Sequence, residues 1–255
     1  MIYNFSVNSA LDKDIKLKKI SEYVKFQKQI NKKFKVIDVG GGVENKGDIS
    51  IDCLFDLKNT LKRNSSIKII NKDFCDKDAW SEINDKEYDY AICTHTLEDI
   101  RDPKFVISQI IRVAKKGYIA VPHKFRELSY STHPNHLGYP HHRWIFAFEN
   151  NKMLILPKSN VVDFLFKKKI ISIPQNSKKF LLVNLIRYCY FLYKREKNML
   201  FASREKIESI KYYEYSFEFN DSFNYEIMND DCFLPPHNDY IDNLRKLINL
   251  KDDVE

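Results

Sequence analysis

Five short runs of β-branched and aromatic residues recur through the first 125 residues of this chain, each bounded by Gly, Asp, Asn or Pro. They are KVIDVG (35–40), DISID (48–52), IKIIN (67–71), YDYAICT (88–94) and GYIAVPH (117–123). Such runs read as buried strands. Between the last two lies EDIRDPKFVISQIIRVAKK, whose Phe105, Val106, Ile110, Ile111 and Val113 suit a helix packed on a sheet. Asp102-Pro103 is its natural start. Strand–helix alternation predicts an α/β fold with a parallel sheet covered on both faces.

The pattern changes after residue 140. RWIFAFENNKMLILPK reads as two strands joined around Asn150-Asn151. A helix near NVVDFLFKKK follows, then the apolar helix FLLVNLIRYCYFLY from Phe180 to Tyr193. The tail from Tyr212 mixes aromatic strand-like text with a final helix, NDYIDNLRKLINL. The expected organisation is a helical segment over 1–30, one α/β core over 31–160, and a C-terminal helical and β elaboration over 161–255. That elaboration either packs on the core or caps the site, where Tyr225, Asp230, Asp231 and His237 fall beside Pro235-Pro236.

Composition narrows the function classes. With 44% hydrophobic and 30% charged residues the chain is globular rather than disordered. The formal net charge is +7, with the lysines scattered. Nucleic acid would call for a basic stripe, so small anionic ligands are the better expectation. The five cysteines, Cys53, Cys75, Cys93, Cys189 and Cys232, form no C-x-x-C pair, which argues against a zinc knuckle or a disulfide framework. The N-terminus lacks the apolar stretch of a signal peptide, and Phe180–Tyr193 falls short of the roughly 20 residues of a membrane span. A cytoplasmic protein without stable membrane insertion is expected. The 180–193 helix is either core or the face of a homodimer.

VIDVGGG ends the first strand with an acidic residue and three glycines, which let backbone approach a ligand closely. A dinucleotide fingerprint would place its third glycine at position 45, where Asn45 stands, so a nicotinamide enzyme is disfavoured. The segment resembles motif I of the class I S-adenosylmethionine-dependent methyltransferases, with Asp38, Gly40 and Gly42 matching and Gly41 between them. The resemblance continues in order over residues 34–157. Asp52 closes the second strand, where the family places a carboxylate against ribose hydroxyls. Asp73-Phe74 is similar to the pair that contacts adenine. YDYAICTHTLEDIRDP is similar to the fourth strand and its turn, with Thr94 and His95 flanking the cofactor, and Leu97 and Glu98 following. GYIAVPH fits the fifth strand, and the hairpin after it fits the antiparallel pair that completes a Rossmann-like seven-stranded sheet. The resemblance implies S-adenosylmethionine as cofactor.

Five of the seven histidines crowd into VPHKFRELSYSTHPNHLGYPHHRWIF (121–146), which begins where the fifth strand ends. In this fold the acceptor site is built from the loops after strands four and five, so the segment is expected over the methyl group. Three readings compete. His123 or His142 could be a general base for a hydroxyl acceptor. His123, Glu127, His136, His141 and His142 could supply a divalent metal site, although their spacing matches no specific metal motif. The histidines with Lys124, Arg126 and Arg143 could cradle a phosphate or carboxylate. Glu127, His136, His141 and Arg143 are the expected acceptor contacts, and His133 is the weakest member. HHRW leading to LILPK is similar to bacterial surface-polysaccharide and capsule-modifying methyltransferases. That resemblance implies O-methylation of a sugar, sugar nucleotide or phosphoryl-linked precursor. The alternatives are N-methylation of another small metabolite and a non-catalytic protein that kept the fold.

Overall fold

A computed structural model describes residues 2–41, 47–52, 68–128, 137–159, 213–228 and 237–250. The order of elements is β1 (Ile2–Asn8), α1 (Ala10–Ile30), β2 (Val36–Val39), β3 (Ile49–Asp52), β4 (Lys68–Asn71), β5 (Tyr88–Thr94), α2 (Pro103–Val113), β6 (Ala114–Pro122), α3 (Lys124–Glu127), β7 (Trp144–Glu149), β8 (Lys152–Pro157), β9 (Glu214–Asn220), β10 (Asn224–Ile227) and α4 (His237–Asn249). The expected helices near 160–169 and 180–193 lie outside the described residues, as do Asp230 and Asp231.

All five strands expected in the first 125 residues form, and β2 to β6 run parallel within a seven-stranded sheet ordered β1-β9-β6-β5-β2-β3-β4. Two-sided burial explains the apolar text of β2, β5 and β6. By contrast β4, expected to be buried, is the sheet's edge strand and stays exposed to half-buried. Val36, Tyr90, Ile92, Tyr118 and Ala120 face Ile20 and Val24 of α1. Ile37, Val39, Ala91, Cys93, Ile119 and Val121 face the other way, onto Val106, Ile107 and Ile110 of α2. Helices therefore cover both faces, as the alternation required. Local chemistry starts each helix where the sequence says it should. Ser9 and Asp12 form a reciprocal capping box on α1. Asp102 accepts from Phe105 N at 2.8 Å, with Pro103 in the first turn of α2.

Three expectations need correction. The N-terminal segment is not helical throughout: Ile2–Asn8 is a strand, the outer edge of the main sheet, paired antiparallel with β9. The helix after Asp102 ends at Val113, and Ala114–Lys116 already belong to β6, because β5 offers backbone pairing from Tyr88 onward. The hairpin at 144–157 forms around Asn150 and Asn151, both left-handed (φ 49° and 59°), but it does not complete the main sheet. β9 fills that place, antiparallel to β6.

The hairpin instead joins β10 in a second sheet ordered β10-β8-β7. Phe146, Phe148, Met153 and Ile155 face the main core, while Ile145, Ala147, Leu154 and Leu156 face Tyr240, Leu244, Leu247 and Ile248 of α4. Both faces are covered, so both strands are apolar along their length. Among the described residues no helix is long and apolar enough to cross a membrane.

Candidate active site

Chain order reverses between β2 and β5: β3 and β4 lie beyond β2, and β6 lies beyond β5. A sheet of this kind opens a crevice at such a switch point, outside the carboxyl ends of the strands. Val39-Gly40 and Thr94-His95 occupy those ends here. Gly40 is left-handed (φ 73°), and a β-carbon there would sit 2.3 Å from Thr96 Oγ1, so only glycine fits. Thr96 ties the two strand ends together, its hydroxyl 3.3 Å from Val39 O and 3.2 Å from Thr94 O. Asp38 is buried in β2, and Gly41 follows Gly40 at the rim. Gly42 lies outside the described residues. Asp52 ends β3 opposite Asn71, where a ribose contact was expected, but its side chain lies outside the described residues.

The fourth-strand turn carries the most charged contact of the site. His95, with backbone φ 51°, directs Nε2 to Glu214 Oε2 at 2.7 Å, while Nδ1 stands 3.3 Å from Glu98 Oε1. Both carboxylates are buried. Burial lowers the His95 pKa, but Glu214 and Glu98 outweigh it and leave the imidazole above its ordinary 6.5. Glu98 Oε2 and Glu214 Oε1 are buried without a hydrogen-bond partner among the described residues. Asp38 and Glu98 both act on the buried Cys93 thiol, which burial and these charges hold well above its ordinary pKa. Two buried carboxylates, Glu214 and Glu98, thus face one imidazole at the switch point, with Asp38 buried nearby in β2. Glu214 carried no signal in the sequence, since it sits 119 residues from His95 at the start of β9.

Asp73 follows β4 as expected, with Oδ1 accepting from Cys75 N at 2.8 Å and Oδ2 paired with Arg101. Burial raises its pKa, but the Cys75 N–H and the Arg101 guanidinium hold it below the ordinary 3.8. Phe74 is buried in the core, and its carbonyl accepts from Trp80 Nε1 at 2.7 Å.

The histidine segment divides. His123 is fully buried at the N-cap of α3, where Nδ1 accepts from Phe125 N at 3.1 Å and the ring packs on Tyr215 at 4.2 Å. That is an anchoring position. His133 and His136 lie outside the described residues. His142 is buried, and its Nδ1 meets Glu127 Oε1 at 2.7 Å. Lys158 Nζ donates to Glu127 Oε2 at 2.9 Å. Burial pushes the Glu127 carboxyl up, but His142 and Lys158 bring it below its ordinary 4.5. Gly138, at φ 59°, leaves room for this carboxylate: a β-carbon would lie 2.6 Å from Glu127 Oε2.

Asp99 completes the group. Its Oδ1 is 3.6 Å from His142 Nε2 and 3.9 Å from His141 Nε2, and burial together with Glu98 raises its carboxyl above the ordinary 3.8. His141 and Arg143 are exposed beside it, and Arg143 N donates to Glu98 O at 2.6 Å. Arg126 does not join the group; its guanidinium lies 3.7 Å from the Tyr213 ring centroid and donates to Tyr139 Oη. Tyr225 belongs to β10, with its hydroxyl 3.4 Å from Lys104 O. The sequence pointed to neither Asp99 nor Lys158, although Asp99 directly follows Glu98 in the turn already singled out.

The fold is a doubly wound seven-stranded α/β sheet with a second, three-stranded sheet beside it. A family model described as methionine biosynthesis protein MetW matches residues 21–127, less than half of the chain. No curated protein matches. Among solved structures, a methyltransferase from Thermotoga maritima described as a possible histamine N-methyltransferase is similar over 36% of this chain and 45% of its own, at 15% identity and TM-score 0.30. A methyltransferase from Aquifex aeolicus is similar over 36% of this chain and 57% of its own, at 18% identity and TM-score 0.29. The methyltransferase CalH, solved with S-adenosylhomocysteine, is similar over 40% of this chain and 36% of its own, at 10% identity and TM-score 0.33. The chain spans about half or less of the length of the Thermotoga maritima protein and CalH, and somewhat more of the Aquifex aeolicus one.

Proposed function

We propose that this protein is an S-adenosylmethionine-dependent methyltransferase acting on a hydroxyl of a small sugar, sugar-nucleotide or phosphoryl-linked precursor. The observation that carries this reading is the adjacency of two built sites. Buried carboxylates gather at the switch point, and a histidine–carboxylate cluster follows through the consecutive residues Glu98 and Asp99.

The first site fits the cofactor by charge. Asp38, Glu98 and Glu214 are buried acidic groups near the switch point, and Glu98 Oε2 and Glu214 Oε1 have no hydrogen-bond partner among the described residues. A ligand bearing an ammonium and a sulfonium suits such groups. When bound, S-adenosylmethionine supplies a methyl group on positively charged sulfur. Asp38 and the Gly40 turn would hold its amino-acid part, Asp52 the ribose and Asp73 the adenine amino group, with Phe74 buried behind Asp73.

The second site handles the acceptor. Glu127 fixes the ring of His142 by its Nδ1, which turns Nε2 toward Asp99 and the exposed His141. The hydroxyl proton leaves the acceptor at this cluster for solvent, the new bond joins the acceptor oxygen to the methyl carbon, and the bond broken is carbon–sulfur. The thioether product leaves uncharged at sulfur. Exposed Arg143 beside the cluster suits an anionic or phosphoryl-linked acceptor. The likeness of HHRW and LILPK to capsule-modifying enzymes supports a sugar-linked one.

Calorimetry with S-adenosylmethionine and S-adenosylhomocysteine tests the first site, and binding in the micromolar range is expected. No binding of either at high micromolar concentration sinks the reading. Transfer of a labelled methyl group to a panel of sugar nucleotides tests the second. His142→Ala should lower transfer about 100-fold with cofactor affinity within threefold of wild type. A nitrogen acceptor, uncharged at working pH, would leave that variant nearly intact and overturn the hydroxyl assignment.

A further inference from the structure

The cluster beyond β5 has more ligand chemistry than proton transfer needs. Asp99, His141 and His142 each turn a donor atom inward, and the three donors all lie within 4.8 Å of one another. Asp99 Oδ1 is 3.6 Å from His142 Nε2 and 3.9 Å from His141 Nε2. A first-row divalent ion about 2.0–2.2 Å from each donor would hold neighbouring donors about 3–3.5 Å apart. The two separations from Asp99 exceed that spacing by under 1 Å, and His141 is an exposed side chain with room to close on the other two.

The buried residue of the three is already fixed as a ligand must be. A ligating imidazole characteristically gives its second nitrogen to a carboxylate, which sets the tautomer and the ring orientation. His142 Nδ1 meets the buried Glu127 at 2.7 Å, and Lys158 and Gly138 hold that carboxylate in turn. Among the described residues no lysine or arginine pairs with Asp99. Two imidazoles and one carboxylate on adjoining loops also leave coordination positions free on the outer side.

We propose that Asp99, His141 and His142 bind one divalent first-row transition ion, with Glu127 as the positioning residue behind His142. A cation here draws the acceptor hydroxyl to the cluster and favours its ionised form, so the proton leaves to solvent and His142 serves as ligand. This last role rests on the proposed methyl transfer; the binding of the ion does not.

The test uses the full chain without an affinity tag, treated with chelator and titrated with ZnCl2 alone by calorimetry. One ion per chain is expected. Asp99→Asn and His141→Ala change exposed side chains and should keep the circular dichroism spectrum while weakening Zn2+ at least tenfold. Glu127→Gln should weaken it about 10–100-fold. Absence of stoichiometric binding, or binding that survives both Asp99→Asn and His141→Ala unchanged, overturns the site. Cofactor calorimetry on the same chelated protein separates the two readings. S-adenosylmethionine binding without Zn2+ binding removes the ion and keeps the methyltransferase; the reverse keeps the ion and removes the methyltransferase.

Discussion

Glu127 Oε1 and His142 Nδ1 meet at 2.7 Å across fifteen residues of sequence, with both side chains buried. α3 ends on the carboxylate, and the chain returns through Gly138 and Tyr139 to lay the imidazole against it. Lys158, just after β8, closes the far oxygen. The pair joins the end of the main sheet to the second sheet and holds His142 rigid.

Glu127→Ala should therefore cost stability as well as function. It strands a buried imidazole and a buried ammonium, and removing one partner of such a group typically costs about 3–5 kcal/mol. Urea unfolding followed by circular dichroism measures this. Gly138→Ala should lose about 1–3 kcal/mol through left-handed strain and its clash with the same carboxylate. A change below 0.5 kcal/mol in both would mean that the pair is not a fixed element.

His95 makes stability fall on the alkaline side. Its folded pKa lies above 6.5, because Glu214 and Glu98 outweigh burial. A group raised on folding binds its proton more tightly in the folded state. Its contribution is whole below pH 6.5 and is lost as pH rises through the folded value. Glu214→Gln should flatten that slope in a stability profile between pH 6 and 9, and an unchanged slope would remove His95 as its source.

Gly40 is a backbone position at the switch point that a single methyl group would disturb. Gly40→Ala places a β-carbon 2.3 Å from Thr96 Oγ1 in a left-handed residue. A loss of about 1–3 kcal/mol is expected, with at least tenfold weaker S-adenosylmethionine binding. Adding Thr96→Gly should relieve the clash and recover only part of the stability, since φ stays positive.

The second sheet should behave as core rather than as an appendage. Leu244 and Leu247 of α4 are fully buried against β7 and β8, and Tyr240 Oη donates to Pro157 O at 2.7 Å. Leu247→Ala should cost about 2–5 kcal/mol in one cooperative transition. A separate early transition, with the main sheet still folded, would show that the two parts unfold independently.

Much of this arrangement was legible from local pattern. Of the five parallel strands, β2, β5 and β6 could be read because burial on both faces makes them largely apolar, while β4, at the sheet edge and exposed at both ends, was legible from its two central isoleucines. The glycine turn at 40, the Asp102-Pro103 helix start and the Asn150-Asn151 hairpin were readable because each depends on backbone conformations that few residues tolerate. The strand at Ile2–Asn8 escaped, since IYNFSVN alternates weakly and gains its pairing from β9, more than 200 residues away. The hairpin's destination escaped for the same reason: a buried strand reads alike in either sheet.

The sequence by itself determined the strands of the sheet's parallel centre, the glycine turn after the first of them and the crowding of histidines beyond the fifth. These follow from residue spacing, turn chemistry and burial, all local properties. Only the tertiary structure decided where the described histidines stand. It buried His123 as a helix cap, set His142 on Glu127, and brought in Asp99, Glu214 and Lys158. Contacts between distant residues depend on how loops and sheets close in space, and no spacing along the chain encodes them.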